Sequence, residues 1–368
     1  MFSKSDDSRI NFLKEMDYVL LAQILAMCIS SVAMLYSAAL GSIDPWAFKQ
    51  AITLCIFAPI IFLIASLEFK TVYTYAYVVY GIAFFFLVLA AIFGHKAMGA
   101  QRWLRVGVIN FQPSELMKIG LILALARYYH DLHTNEIGKI RSLLPPLLLS
   151  ILPALLVLKQ PNLGTASILI VIAAVILFAS GVKLWKFAFV GISAILLMPA
   201  VWYMLHDYQR QRVLTFLNPE ADPLGSGYNI IQSIIAIGSG GFFGKGFIEG
   251  TQSQLNFLPE KQTDFILSVI AEEFGFFGVA TMLVLTLGII FSCYKKAFTA
   301  NNQFFRLIAI GVATSFAFHA IINAGMIAGL LPVVGMPYPL LSYGGSSLAA
   351  FLIGFGLVLN TKLRNQSS

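Results

Sequence analysis

Charge is scarce in this 368-residue chain: only 11% of residues are Asp, Glu, Lys or Arg, against 58% hydrophobic. A soluble globule needs a charged surface and a nucleic-acid binder needs a basic tract, so both classes are excluded and no nucleic-acid partner is expected. Three cysteines, Cys28, Cys55 and Cys293, each fall in or at the end of an apolar run. That excludes a disulfide framework and any paired cysteine spacing for a metal. No small-residue cleavage site follows the first apolar run, which therefore reads as a retained helix. The period-two alternation of a membrane barrel is missing as well.

What is present is apolar length. Mean hydropathy is +0.82, and windows of roughly 20 apolar residues, enough to cross a ~30 Å hydrocarbon core, recur about ten times. They begin near Tyr18, Phe48, Tyr73, Pro113, Leu143, Leu163, Leu184, Asp264, Leu307 and Ser342. Backbone polar groups in lipid must be satisfied within the segment, so these runs are helices. The expected fold class is all-α, a polytopic membrane protein of about ten transmembrane helices in one domain over 1–368, with a large extracytoplasmic loop, 205–263, between helices 7 and 8. A membrane-surface helix is expected over Ser3 to Asp17, where Ile10, Phe12, Leu13 and Met16 recur at helical spacing.

Orientation follows from lysine and arginine. With both termini in the cytoplasm, fourteen of the twenty-four basic residues fall in inner segments. The minority on the outer side is the more informative set, because topology disfavours it there. It includes Arg102, Arg105, Lys118, Lys159, Arg210, Arg212 and Lys245. Cations in that position suit an anionic ligand held at the outer leaflet, and Ser342 to Ser347 add a small-residue polar turn.

Several local features have a plainer reading beside the functional one. Glu115 and Lys118 lie on one face of a helix opening at Pro113, and spacing alone favours a self-neutralising pair that lets the helix insert. His130, Asp131, His133 and Glu136 form a solvated loop and not a metal cluster. His319 and Asn323 read as an interhelical hydrogen-bonding pair. The stretch Gly238 to Gly246 fails as a nucleotide loop, since Ser239 and Gly246 occupy positions that need glycine and Ser/Thr; its amides and Lys245 are expected to meet an anion. Tyr228 to Ile237 is expected to form a surface-lying or re-entrant amphipathic helix with Ile230, Ile231, Ile234 and Ile235 along one face and Gln232 and Ser233 on the polar side. Asp264, Glu272 and Glu273 sit on one apolar run, where an ionisable group is a functional candidate by default. At ~100° per residue they cannot share one pocket, and Glu273 is expected to bond neighbouring helices.

The stretches RWLRVGVINFQPSELMK, KQPNLGT, QSIIAIGSGGFFGKG, FLPEKQTDFILSVIAEEFGFFG and GLLPVVGMPYPLLSYGGSS resemble the SEDS family of shape, elongation, division and sporulation proteins, over nearly the whole chain. The short termini resemble its elongation member more than its division member. The resemblance implies a ten-helix peptidoglycan glycosyltransferase of the bacterial cytoplasmic membrane, acting on lipid II at the outer face beside a class B penicillin-binding transpeptidase. It implies Asp264 as the essential aspartate, here the general base. Arg102, Glu115 and Lys118 match the family's site residues. Lys159, Arg210, Arg212, Lys245 and Ser342 are the further substrate-binding candidates, and a divalent cation (Mg or Mn) is expected near Glu115. One departure stands out: Asn162 occupies a position where the family pattern has Asp, and an amide is a weaker cation ligand than a carboxylate. The rival readings are a lipid II flippase and a non-catalytic scaffold for the transpeptidase.

Overall fold

The computed structural model describes residues 16–97, 100–106, 109–204, 207–221 and 227–360. The surface helix expected over Ser3 to Asp17 lies almost wholly outside them. Ten long helices form the body: α1 (Tyr18–Ala38), α2 (Trp46–Ala65), α3 (Phe69–Phe93), α4 (Pro113–Asp131), α5 (Ile140–Lys159), α6 (Leu163–Ala179), α7 (Leu184–Met204), α11 (Ile266–Thr299), α12 (Gln303–Ile327) and α13 (Gly345–Asn360). Their starts agree with the apolar runs to within a few residues, except that the last two thirds of the Asp264 run alone forms a span.

The helices cross back and forth, so residues 16 and 360 lie at the same face. The opposite face, here termed the site face, carries the longer connections: a small sheet, the segment from 205 to 264 and the strap from 328 to 344. The segment between the seventh and eighth spans contains α8 (Asp207–Leu217), α9 (Tyr228–Gly240) and the single turn α10 (Thr251–Gln254).

The most enclosed helices are α4 and α12. Two thirds of the apolar window of α12 is buried (67%), and on α4 the buried set runs almost unbroken from Pro113 to Ala126. Enclosure by neighbouring helices is what allows α4 to carry charge and still cross. By contrast Phe189, Ile195, Leu196 and Met198 of α7 are all exposed, the pattern of a peripheral span facing lipid.

One element was not expected. Between α3 and α4 the chain forms an antiparallel sheet of β1 (His95–Ala97), β2 (Ala100–Val106) and β3 (Ile109–Phe111), ordered β1-β2-β3, with Arg105 opposite Asn110. It joins the bundle where the amide N–H of Gln112 donates to Ser346 Oγ at 3.2 Å.

The second departure is a break in α11. At 34 residues a straight helix would be about 50 Å long, well beyond a membrane core. Gly275 has φ 62° and ψ −154°, and separates a half-helix, 266–274, from the span, 276–299. Bonds to α1 show their directions. Ser37, at the site-face end of α1, donates to Glu273. Ser31, about 9 Å deeper on the same helix, donates to the Leu341 carbonyl at 2.6 Å, and Ser342 donates to the Thr263 carbonyl at 2.5 Å. The half-helix therefore starts deep, beside Ser31, rises to the level of Ser37, and turns at Gly275 into the descending span.

A broken helix leaves backbone groups unpaired, which is costly away from water. The glycine-rich turn after α9 takes them up. Lys245 and Gly246 donate their amides to the carbonyls of Glu272 and Glu273, each at 3.0 Å, and Phe276 donates to the Gly241 carbonyl at 2.9 Å. A Cβ on Gly244 would lie 2.1 Å from the Glu273 carbonyl oxygen, so only glycine permits the approach. The amides of Gly244, Lys245 and Gly246, within the stretch expected to meet an anion, are thus engaged by the fold itself.

The packed face of α9 also differs from expectation. Ile230, Ser233, Ala236 and Gly240 are buried while Ile234 and Ile235 are exposed. Close approach to the half-helix selects small side chains over large ones, as between helices in lipid generally. Ser233 is part of this contact, 2.8 Å from Ser268 Oγ.

Candidate functional site

Asp264 lies in the non-helical turn just below the half-helix, two residues before α11 begins at Ile266. It is half-buried, and recessed from the site face by the depth of the half-helix. Three successive carbonyls of its turn are each held from another part of the fold. Gln262 O accepts from the Tyr343 amide at 2.8 Å, Thr263 O from Ser342 Oγ at 2.5 Å, and Asp264 O from Asn323 Nδ2 at 2.8 Å. Ser342 is buried and also accepts from the Tyr338 amide at 2.8 Å. Its hydroxyl is therefore engaged in holding the strap to the Asp264 turn, and the expectation that it binds substrate is replaced by this clamp.

Glu115 and Lys118 stand on the first turns of α4, where Pro113 begins the helix. The Lys118 ammonium donates to both carboxylate oxygens of Glu115, at 3.0 and 2.9 Å, and to His319 Nε2 at 3.0 Å. His319 Nδ1 lies 2.8 Å from the Ser315 carbonyl and donates to it, which leaves Nε2 as the acceptor. All three ammonium protons are thus used, and the group is buried, Lys118 at 2% exposure and Glu115 at 5%. This is the self-neutralising pair that spacing favoured, extended by a histidine. A closed knot of this kind is not free to grip a diphosphate.

Arg102 leaves β2 and reaches the turn between α5 and α6, donating to the carbonyls of Gln160, at 3.1 Å, and Pro161. Lys159, at the end of α5, is exposed and has no ion-pair partner among the described residues. Asn162 is buried and caps α6, its Oδ1 accepting from the Thr165 amide at 3.2 Å. The next turn of that helix touches the strap, since a Cβ on Gly164 would meet the Met336 side chain at 2.6 Å. Gly335, the strap residue beside Met336, lies against the Asp264 carboxylate: a Cβ there would be 3.5 Å from Oδ2. Arg102, the 159–164 turn, the strap and Asp264 thus follow one another in contact.

The remaining candidates lie elsewhere. Lys245 is ion-paired with Glu272 at 2.9 Å and bonded to Thr251 Oγ1 at 2.8 Å. Glu272 also accepts from the amides of Gln252, at 2.8 Å, and Ser253, at 3.2 Å. That pair ties the loop around α10 to the far end of the half-helix, two turns from Asp264, so Lys245 does not join the group. Lys261 anchors the same loop through the Ser253 carbonyl, at 2.6 Å, and Asn256 Oδ1, at 2.8 Å. Burial pushes its ammonium below the ordinary lysine range, with Glu273 pulling the other way. Arg210 donates to the carbonyls of Trp202, at 3.0 Å, and Tyr203, at 2.7 Å, at the end of α7. Arg212 lies on α8, and its side chain is outside the described residues. Glu273 bonds α1 through Ser37, as expected.

A resident divalent cation does not fit the described side chains. Glu115 is taken by Lys118, Asn162 offers an amide oxygen already engaged as a cap, and no three of His, Cys, Asp and Glu gather among the described residues. His319 and Asn323 of α12 are the interhelical hydrogen-bonding residues expected from their spacing; which groups they bond, Lys118 and the Asp264 turn, is seen only in the fold.

An apolar groove of about 240 Å³ runs between α2, α3, α4 and α13, lined among others by Ile64, Val72, Leu116, Ile119 and Leu357. None of the residues around Asp264 lines it.

A family model for FtsW, RodA and SpoVE, described as cell cycle protein, matches residues 15–367. The peptidoglycan glycosyltransferase MrdB of Escherichia coli K12 is 39% identical over 94% of this chain and 93% of its own length. The stage V sporulation protein E of Bacillus subtilis is 36% identical over 81% of this chain and 82% of its own. Among solved structures, a chain from work on coordination of polymerization and crosslinking by a peptidoglycan synthase complex superposes with a TM-score of 0.82 at 34% identity, covering 96% of this chain and 99% of that one. The rod shape determining protein RodA of Thermus thermophilus superposes at 0.72 with 29% identity, covering 96% of this chain and 98% of that one. With the family model matched over residues 15–367 and the fold shared with these solved structures, the chain belongs to the FtsW, RodA and SpoVE family of cell cycle proteins.

Proposed function

We propose that this protein is a peptidoglycan glycosyltransferase that polymerises lipid II into glycan strands during cell elongation, with the site face on the outer side of the bacterial cytoplasmic membrane. The supporting observation is a recessed, half-buried carboxylate, Asp264, whose backbone is held at three successive carbonyls in a chain whose relatives are named peptidoglycan glycosyltransferases. A carboxylate fixed in this way can serve as general base without rearranging during the reaction.

In this reading the GlcNAc 4-hydroxyl of one lipid II attacks the anomeric carbon of the growing strand. A bond forms between that oxygen and the carbon, its proton passes to Asp264, and the bond from the carbon to the diphosphate breaks. The lipid diphosphate leaves with the electron pair. Leaving-group charge needs cationic or hydrogen-bonding partners. Lys159, exposed beside the turn that Arg102 holds through the Gln160 carbonyl, supplies one, since Lys118 and Lys245 are neutralised by glutamates. The apolar groove beside α4 suits a polyprenyl tail. A class B penicillin-binding transpeptidase is the partner on this reading, in keeping with the synthase complex that one structural relative belongs to.

The test is purified protein with its partner in detergent, given labelled lipid II. Long strands should form, a beta-lactam acting on the transpeptidase should not stop them, and Asp264→Asn should abolish them while folding and partner binding persist. Lipid translocation without polymer would favour the flippase, and an active Asp264→Asn would remove Asp264 from the base role.

A further inference from the structure

The strongest polar feature left without a role is Asn323. It lies on α12 with 0% exposure, and its amide nitrogen donates to Asp264 O and to Met336 O, each at 2.8 Å. Both bonds require hydrogens, so the amide orientation is fixed: the reverse would set an oxygen against two carbonyl oxygens. Its own Oδ1 is buried and has no hydrogen-bond partner. An orphaned buried acceptor is unfavourable, because it gives up its bonds to water and gains none in return. A helix built only for packing would carry leucine here.

The two acceptors explain the choice. Asp264 O belongs to the turn that carries the carboxylate, and Met336 O to the strap residue next to Gly335, which lies against that carboxylate. One side chain thus joins both walls of the carboxylate's surroundings. It does so from the same face of α12 as His319, one turn earlier, which holds Lys118. Gly335 has φ +68° and, with no Cβ, leaves the space beside Oδ2 open.

We infer that Asn323 is a positioning residue for Asp264: it joins the Asp264 turn to the strap at Met336 and so sets the distance and direction of the carboxylate relative to substrate, without touching substrate itself. Ser342 is its counterpart on the preceding carbonyl, Thr263 O. The inference rests on Asp264 acting as the base. A positioning residue acts on the bond-making step and not on substrate capture, so its loss lowers kcat and leaves KM in place.

The experiment compares Asn323→Leu, which keeps side-chain volume and removes both donors, with Ser342→Ala, a smaller change to the same framework. Both are purified as the full chain with partner and checked for monodispersity before lipid II kinetics. Asn323→Leu should lower kcat at least tenfold with KM within twofold of the parent, and Ser342→Ala should give a smaller fall of the same kind. If Asn323→Leu does not fold, Ser342→Ala carries the test. A parental kcat in whichever variant folds, a loss confined to KM, or failure of both to fold would overturn the inference. Asp264→Asn is run alongside: if it stays active the base assignment has failed, whereas an inactive Asp264→Asn beside a fully active Asn323→Leu refutes the positioning role alone.

Discussion

Lys118 shows at the scale of one residue how charge is tolerated inside a lipid-embedded bundle. Its ammonium is matched by both oxygens of Glu115 and by His319, and breaking such a buried pair leaves a charge with no compensation, at a cost of about 3 to 5 kcal/mol. Lys118→Met should therefore lower thermal stability in detergent strongly, and Glu115→Gln added to it should restore most of the loss. A free phosphate ligand would show the reverse, a normal melting temperature and a raised KM. Asn162 allows a second residue-scale test. It caps α6 through Thr165, and Asn and Asp are about equally good in that role while Ala costs about 1 kcal/mol. Asn162→Asp should melt like the parent and give the same metal titration of rate, whereas Asn162→Ala should melt lower. A metal curve displaced to lower concentration in the Asp form would instead favour a cation at this turn.

Among elements, the half-helix below Gly275 decides where Asp264 sits. Its stability depends on the glycine-rich turn, where a Cβ on Gly244 would meet the Glu273 carbonyl oxygen at 2.1 Å, while one on Gly238 would meet nothing within 4 Å. Gly244→Ala should destabilise by about 1 to 3 kcal/mol through overpacking and reduce turnover by displacing the half-helix. Gly238→Ala, exposed within α9, should stabilise by about 0.5 to 1 kcal/mol. Thermal melts of the two variants, read beside their polymerisation rates, separate a turn that merely connects from one that holds the break in place.

For the whole molecule the open quantity is sidedness. The helices put residues 16 and 360 at one face and the Asp264 recess at the other, and the proposed function has the recess on the outside, the side that the inner excess of lysine and arginine leaves to it. Lys159 and Lys183 are both exposed and lie at opposite ends of the bundle. In intact cells stripped of outer membrane, Lys159→Cys should react with a membrane-impermeant thiol reagent and Lys183→Cys should react only after lysis. Reversed labelling would contradict the outer site and with it the supply of lipid II from that face.

Apolar run length determined the spans, because a lipid core leaves a helix as the way to satisfy a polar backbone. That rule needs no partner, so nine of the ten starts were legible, as was the family from its contiguous motifs. The sheet was less so. Gln101 to Val106 mixes charged and apolar residues, with a glycine at 107 before the next strand, a modest hairpin signal beside the long helical runs. Tertiary structure alone decided the break at Gly275, because a glycine in an apolar run is also compatible with a continuous helix, and only the docked 240–246 turn makes the broken form favourable. The site followed the same division. The sequence named Asp264, Glu115 and Lys118, but which lysines the glutamates neutralise depends on where they fall in space. Lys118 meets Glu115 within one helix turn, a spacing visible in the chain, whereas Lys245 meets Glu272 across 27 residues. The hold on Asp264 from Asn323 and Ser342, 59 and 79 residues away from the groups they bond, exists only because α12 and the strap both pack against the Asp264 turn.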